Sequence, residues 1–212
     1  MGEPAMYIRL WKRLIDFCLS SIGIIILLPL FLLLAIAIKL DDPGPALFSQ
    51  ERVGIHETHF SIWKFRTMKM DTPHDMPTHL LTHADEYITR VGRFLRKTSL
   101  DELPQLFQIW SGKMAIIGPR PALWNQFDLI AERDKYGAND VRPGLTGWAQ
   151  INGRDELSED VKARLDGEYV EKMSFVFDCK CFFGTIGKVL THDGVVEGCA
   201  NCSAQDEEEK HD

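Results

Sequence analysis

Thr98-Ser99-Leu100-Asp101-Glu102-Leu103-Pro104-Gln105 leads into an amphipathic run, Leu103, Leu106, Phe107 and Trp110, and follows three cations, Arg93, Arg96 and Lys97. Two readings compete for this stretch. Ser99-x-x-Glu102 has the spacing of a capping box, in which the serine hydroxyl and the glutamate carboxylate satisfy orphan N–H groups at a helix start. Pro104 opposes that reading, because with Ser99 as the cap it falls where a helical N–H would bond the carbonyl of Leu100. A later helix start would free both carboxylates. Adjacent helical residues point about 100° apart, so these acids do not face each other across a substrate as a glycosidase pair does. One attacking and one assisting carboxylate fits better.

Three further stretches stand out around it: Lys64-Phe65-Arg66-Thr67-Met68, Ile117-Gly118-Pro119-Arg120-Pro121, and Val141-Arg142-Pro143-Gly144-Leu145-Thr146-Gly147-Trp148-Ala149-Gln150-Ile151-Asn152-Gly153-Arg154. With TSLDELPQL, and in this order, they resemble the monotopic phosphoglycosyl transferases. These bacterial sugar transferases move a sugar-1-phosphate from a UDP-sugar onto a polyprenyl (undecaprenyl) phosphate. The resemblance runs from about Met6 to Leu190. It implies Asp101 as a covalent nucleophile, Glu102 as its assistant, and Mg²⁺ held at Asp101. Substrate binding is expected at Lys64, Arg66, Arg96, Arg120, Pro121 and Arg142.

Arg120 also has a reading of its own. A proline on each side restricts the backbone and holds the guanidinium in one place, which suits two-pronged recognition of phosphate. The alternative is an arginine that pairs an acid at a rigid turn. For Lys64 and Arg66 the bare reading is solvated strand charge, and only the resemblance draws them to substrate. Trp148, inside a glycine-rich loop, either stacks on a uracil or seals the core.

Arg9, Lys12 and Arg13 precede a run without charge from Leu19 to Ile38, about 20 residues or roughly 30 Å as a helix, the thickness of bilayer hydrocarbon. Ala35-Ile36-Ala37 looks like a signal-peptide cleavage site, but the run exceeds the usual h-region of about 7–15 residues. A spanning helix tolerates Pro29, yet it would put the denser positive flank outside, against the positive-inside tendency. The resemblance implies a third form, a re-entrant helix that breaks near Pro29 and returns to the cytoplasmic face. A serine often precedes that proline in the family, whereas here Leu28 does.

The chain of 212 residues suits one domain with its own core. A formal net charge of −7 leaves no domain-wide basic surface, so no nucleic-acid partner is expected. Five cysteines, Cys18, Cys179, Cys181, Cys199 and Cys202, favour a reduced cytoplasmic setting over a disulfide framework. Cys199-x-x-Cys202 with Cys179 and Cys181 has ligand-like spacing but no zinc-knuckle context. His79 and His83 lack the glutamate of a metalloprotease helix and read as solvated side chains of a polar Met70–Glu86 loop.

Leu47–Gly54 and Phe60–Phe65 alternate as two strands of a hairpin. Leu123, Phe127, Ile130 and Ala131 form a helical stripe opposite a polar face that includes Arg133, and two amphipathic helices follow from Leu157 to Leu190. The expected architecture is α+β and mostly helical, with an N-terminal re-entrant membrane helix, amphipathic helices and a small antiparallel sheet. Residues 1–40 form the membrane part, 41–198 the catalytic domain and 199–212 an acidic tail. Expected partners are a UDP-sugar, polyprenyl phosphate and membrane lipid, with a homodimer as one candidate assembly. A membrane-anchored scaffold without chemistry, or a lipid-phosphate hydrolase using the same aspartate, are the competing functions.

Overall fold

The computed structural model describes residues 7–72, 84–153 and 157–191. His74, His79, His83, Arg154, Cys199, Cys202 and the acidic tail lie outside these. A π-helical turn, Tyr7–Trp11, runs into α1, Lys12–Asp41, which at 30 residues is roughly 45 Å long. The break expected near Pro29 does not interrupt it: helical conformation continues through the proline. Proline removes the bond to the Ile25 carbonyl, a loss that apolar helices accommodate by local adjustment.

Both ends of α1 are held by the same folded body. At its start, Arg13 donates to the carbonyls of Ile109 and Trp110, each at 2.7 Å, and Lys12 pairs with Asp178 at 2.5 Å. Midway, Gly23 packs on Leu106 and Phe31 sits between Phe65 and Phe107. At its end, Leu34 and Ile38 join Phe65 and Leu95 in a buried cluster, and Asp41 accepts from the Val91 amide at 2.9 Å. The other faces carry many exposed aliphatic side chains along the helix, such as Ile25, Ile26, Leu32 and Leu33. An apolar surface that extensive marks a membrane or protein contact.

Period-two alternation produces the expected hairpin. β1, Leu47–Val53, and β2, His59–Phe65, pair antiparallel from Leu47↔Phe65 to Val53↔His59. The buried face of β2, Phe60 and Ile62, packs on Ile109 and Met114. After a single helical turn, α2, Ala84–Tyr87, comes α3, Arg90–Lys97, whose Thr89 cap accepts from the Gly92 amide at 2.9 Å. A 3₁₀ segment, Leu100–Gln105, then feeds α4, Leu106–Ser111.

A second sheet was not visible in the sequence. β3, Ala115–Ile117, pairs parallel with β4, Gly144–Thr146, so the loop expected over 141–154 contains a strand and a short helix, α6, Trp148–Ile151. The pairing depends on glycine: a Cβ at Gly144 would lie 2.1 Å from the Gly118 nitrogen. Between the strands lies α5, Phe127–Asp134, and its face is rotated from the expected one. Leu129 and Arg133 are buried while Phe127 is exposed. Two further helices complete the described residues, α7, Glu159–Lys172, and α8, Phe175–Thr191.

Candidate active site

The capping box does not form. Ser99 adopts a left-handed conformation (φ 56°) without a side-chain cap, and the α-helix begins only at Leu106, after Pro104. Glu102 is thereby released from capping, and its carboxylate turns to the cations of other elements. One oxygen, Oε1, accepts from Lys64 Nζ at 2.8 Å and from Arg120 Nη2 at 2.7 Å. Lys64 comes from the end of β2, and Arg120 follows β3 through Gly118-Pro119. Three stretches distant in sequence thus meet at one buried carboxylate.

Asp101 precedes it on the 3₁₀ segment. Burial pushes its carboxyl above the ordinary range and the charge of Glu102 adds to that, while Lys64, Arg96 and Arg120 oppose it. Lys64 moves the other way: burial lowers it, against the pull of Glu102 and Asp101. Arg96 is steadied by donating from Nε to the Thr67 hydroxyl at 2.9 Å.

Sequence reasoning missed Arg52. From β1 it donates to the Pro121 carbonyl at 3.2 Å and to Gln50 at 2.8 Å, close enough to Arg120 and Glu102 for their charges to act on it. Burial, reinforced by Arg120, lowers its guanidinium to about 10. An arginine in an alternating strand reads as solvated, so periodicity gave no signal. Lys64 and Arg120 thus bind Glu102 directly, and the charges of Arg96 and Arg52 act on Asp101 and Glu102 respectively.

The remaining expected residues sit elsewhere. Arg66 pairs with Asp42 at 2.5 Å and also donates to the Asp42 carbonyl, fastening the end of α1. Arg142 is exposed and donates to the Gly112 carbonyl at 3.0 Å, beyond α4. Pro121 is buried and contributes the carbonyl that holds Arg52. Trp148 belongs to the core: it packs on Phe177 with centroids 4.9 Å apart, donates to Glu168 at 2.9 Å, and lies under Lys180.

The family model described as bacterial sugar transferase matches residues 7–192. The chain belongs to the bacterial sugar transferase family. A UDP-glucose:undecaprenyl-phosphate glucose-1-phosphate transferase of Escherichia coli (strain K12) is 38% identical over 193 residues, covering 85% of this chain and 40% of that protein. A UDP-N-acetylgalactosamine-undecaprenyl-phosphate N-acetylgalactosaminephosphotransferase of Aeromonas hydrophila is 36% identical over 189 residues, 86% of this chain and 44% of its own. The sugar transferase EpsL of Bacillus subtilis (strain 168), at 39% over 186 residues, is matched over 89% of its length. The chain thus spans less than half of the first two relatives.

Within this sugar transferase fold, no group of three or more His, Cys, Asp or Glu side chains converges among the described residues. Mg²⁺ seldom needs such a cage, since it is usually held by one or two carboxylates together with substrate phosphates and waters. Asp101 fits that donor role, whereas Oε1 of Glu102 is already taken by two cations.

Proposed function

We propose that this chain transfers a sugar-1-phosphate from a UDP-sugar to undecaprenyl phosphate, releasing UMP. The observation that carries this is the charge of the site. Four cations acting on two carboxylates leave a surplus of positive charge that a diphosphate would neutralise. The relatives' names supply the substrate class, and the sugar stays open between glucose and N-acetylgalactosamine.

In the first half-reaction an Asp101 oxygen attacks the β-phosphorus, the bond to the bridging oxygen breaks, and UMP leaves with that oxygen. The product is a sugar-phosphoryl aspartate. A phosphate oxygen of undecaprenyl phosphate then attacks the same phosphorus, Asp101 departs as carboxylate, and a new diphosphate forms. One phosphoanhydride replaces another, so no ATP is consumed. Glu102 holds Lys64 and Arg120 on one oxygen, which orients both cations toward the departing phosphate. Bound Mg²⁺ would supply further charge neutralisation at the phosphates beside Asp101.

The topology follows from where the substrates meet. A helix crossing the bilayer would separate its ends by roughly 30 Å of hydrocarbon, whereas Arg13 and Asp41 bind the same folded body. Because α1 is also unbroken at Pro29, that favours a helix lying along one face of the membrane, the cytoplasmic one, where UDP-sugars are. Purified protein should release at most one equivalent of UMP from one member of a UDP-sugar panel without undecaprenyl phosphate, and should turn over repeatedly only when it is added. Turnover with water alone would convert the reading into a hydrolase, and no release with any donor would remove it.

A further inference from the structure

The first turns of α1 reach into the catalytic frame at a second point besides Arg13. Asp16 is an acid inside an apolar helix and is 4% exposed, and the site chemistry above does not use it. Its Oδ1 accepts from the backbone amide of Ile116 at 3.0 Å, across 100 positions of sequence. That amide has a particular place. In the two-stranded parallel pair, Ala115 donates to the Pro143 carbonyl just before β4 at 2.8 Å, so the alternating Ile116 directs its N–H away from β4, to the open edge. Asp16 closes that edge from the membrane helix.

We propose that Asp16 is a positioning residue for Arg120. Ile116 is four residues before Arg120, and the intervening Gly118-Pro119 has little slack. Gly118 donates to the Thr146 carbonyl at 2.8 Å, and Pro119 accepts from Gly144 at 2.8 Å. The next carbonyl, of Ile117, is bonded by the Tyr169 hydroxyl at 3.1 Å. β3 is therefore held by β4, by Asp16 and by Tyr169. Arg13 meanwhile grips the carbonyl end of α4, the helix continuing directly from the Asp101–Glu102 segment. Two neighbouring residues of the membrane helix thus fix the two halves of the site, the nucleophile's element and the arginine's strand. Their mutual alignment sets where Arg120 meets Glu102.

The inference rests on the proposed transfer reaction, and the measurement separates the two. Wild type, Asp16→Asn and Asp16→Ala are compared in nanodiscs with UDP-glucose, or UDP-N-acetylgalactosamine if the panel selects it. UMP is followed first without and then with undecaprenyl phosphate. An asparagine oxygen can still accept from Ile116, and an alanine cannot. A misplacement near 1 Å lowers rates by about 10²-fold, so Asp16→Ala should slow the UMP burst by roughly 10–100-fold with its amplitude kept. KM for the donor should stay unchanged, and Asp16→Asn should recover most of the rate. A smaller burst at wild-type rate means fewer folded molecules, and it overturns the positioning role in favour of a stabilising one. Equal rates in all three proteins also overturn it. A wild type that turns over without any burst overturns the covalent reading instead, and steady-state kcat of the variants then decides for or against Asp16.

Discussion

Arg120 and Arg133 line one small cavity, yet they belong to opposite kinds of ion pair. Arg133 donates twice to one oxygen of Asp166, at 2.6 and 2.9 Å, and the two side chains are 6% and 1% exposed. Each side chain there has its opposite charge in direct contact, and solvent is shut out. Around Glu102 the cations outnumber the acids, and Arg120 and Lys64 keep 31% and 20% of their side-chain surface. Burial raises the carboxyls of both Asp101 and Asp166, so a displaced pKa does not distinguish a site from a strut. Charge balance and access do: a closed neutral pair needs nothing more, whereas a surplus of half-exposed cations is stabilised by an arriving anion.

The largest effect should come from the nucleophile. Asp101→Asn should lower turnover by at least roughly 10³-fold with an unchanged circular dichroism spectrum. The sugar-phosphate adduct seen by mass spectrometry on wild type should disappear. An adduct on another residue would end the covalent assignment. Next come the cations' holder and its partner. Glu102→Gln and Arg120→Lys should each cost about 10–100-fold in kcat/KM, since the one removes the charge that gathers two cations and the other removes a guanidinium's fixed geometry. Near-wild-type kinetics for both would make this assembly a strut like the other one.

The strut itself should respond in stability and not in chemistry. Asp166→Ala leaves a buried guanidinium unpaired and should cost about 3–5 kcal/mol in chemical denaturation. Activity per folded molecule should stay near wild type. Loss of kcat at full folding would erase the distinction between the two pairs.

What the sequence revealed tracks the range of the interactions involved. The hairpin was legible because period two is local, and the late helix start because Pro104 sits only five residues after the cap it defeats. The β3–β4 pair was not, since three-residue strands have no period and their pairing rests on the contact between Gly118 and Gly144. Arg133 was read as a surface charge because nothing near it in sequence announces Asp166, 33 positions away. The same limit applied to Arg66, grouped with substrate ligands by its motif but bound to Asp42, and to Arg52, whose role depends on Pro121. At the site, the residue types were readable and their partners were not.

The smallest effect is the subtlest test of the comparison, because it asks whether the fold is strained where it reacts. The Asp101 carboxyl is held above its ordinary value of about 3.9, so its ionised form is less stable in the folded protein than in the unfolded chain. Its contribution to stability is fully present below the ordinary value and is lost as pH rises through the raised one. Asparagine never ionises and escapes that loss. Asp101→Asn, nearly inactive, should therefore melt higher than wild type at neutral pH, by about 2–4 °C for each kcal/mol relieved. The gap should close as the pH falls through the same window. Over that window wild-type kcat/KM should also fall, because protonation removes the attacking electron pair. A variant that melts lower than wild type at every pH would mean that Asp101 serves the fold as a paired acid, as Asp166 does.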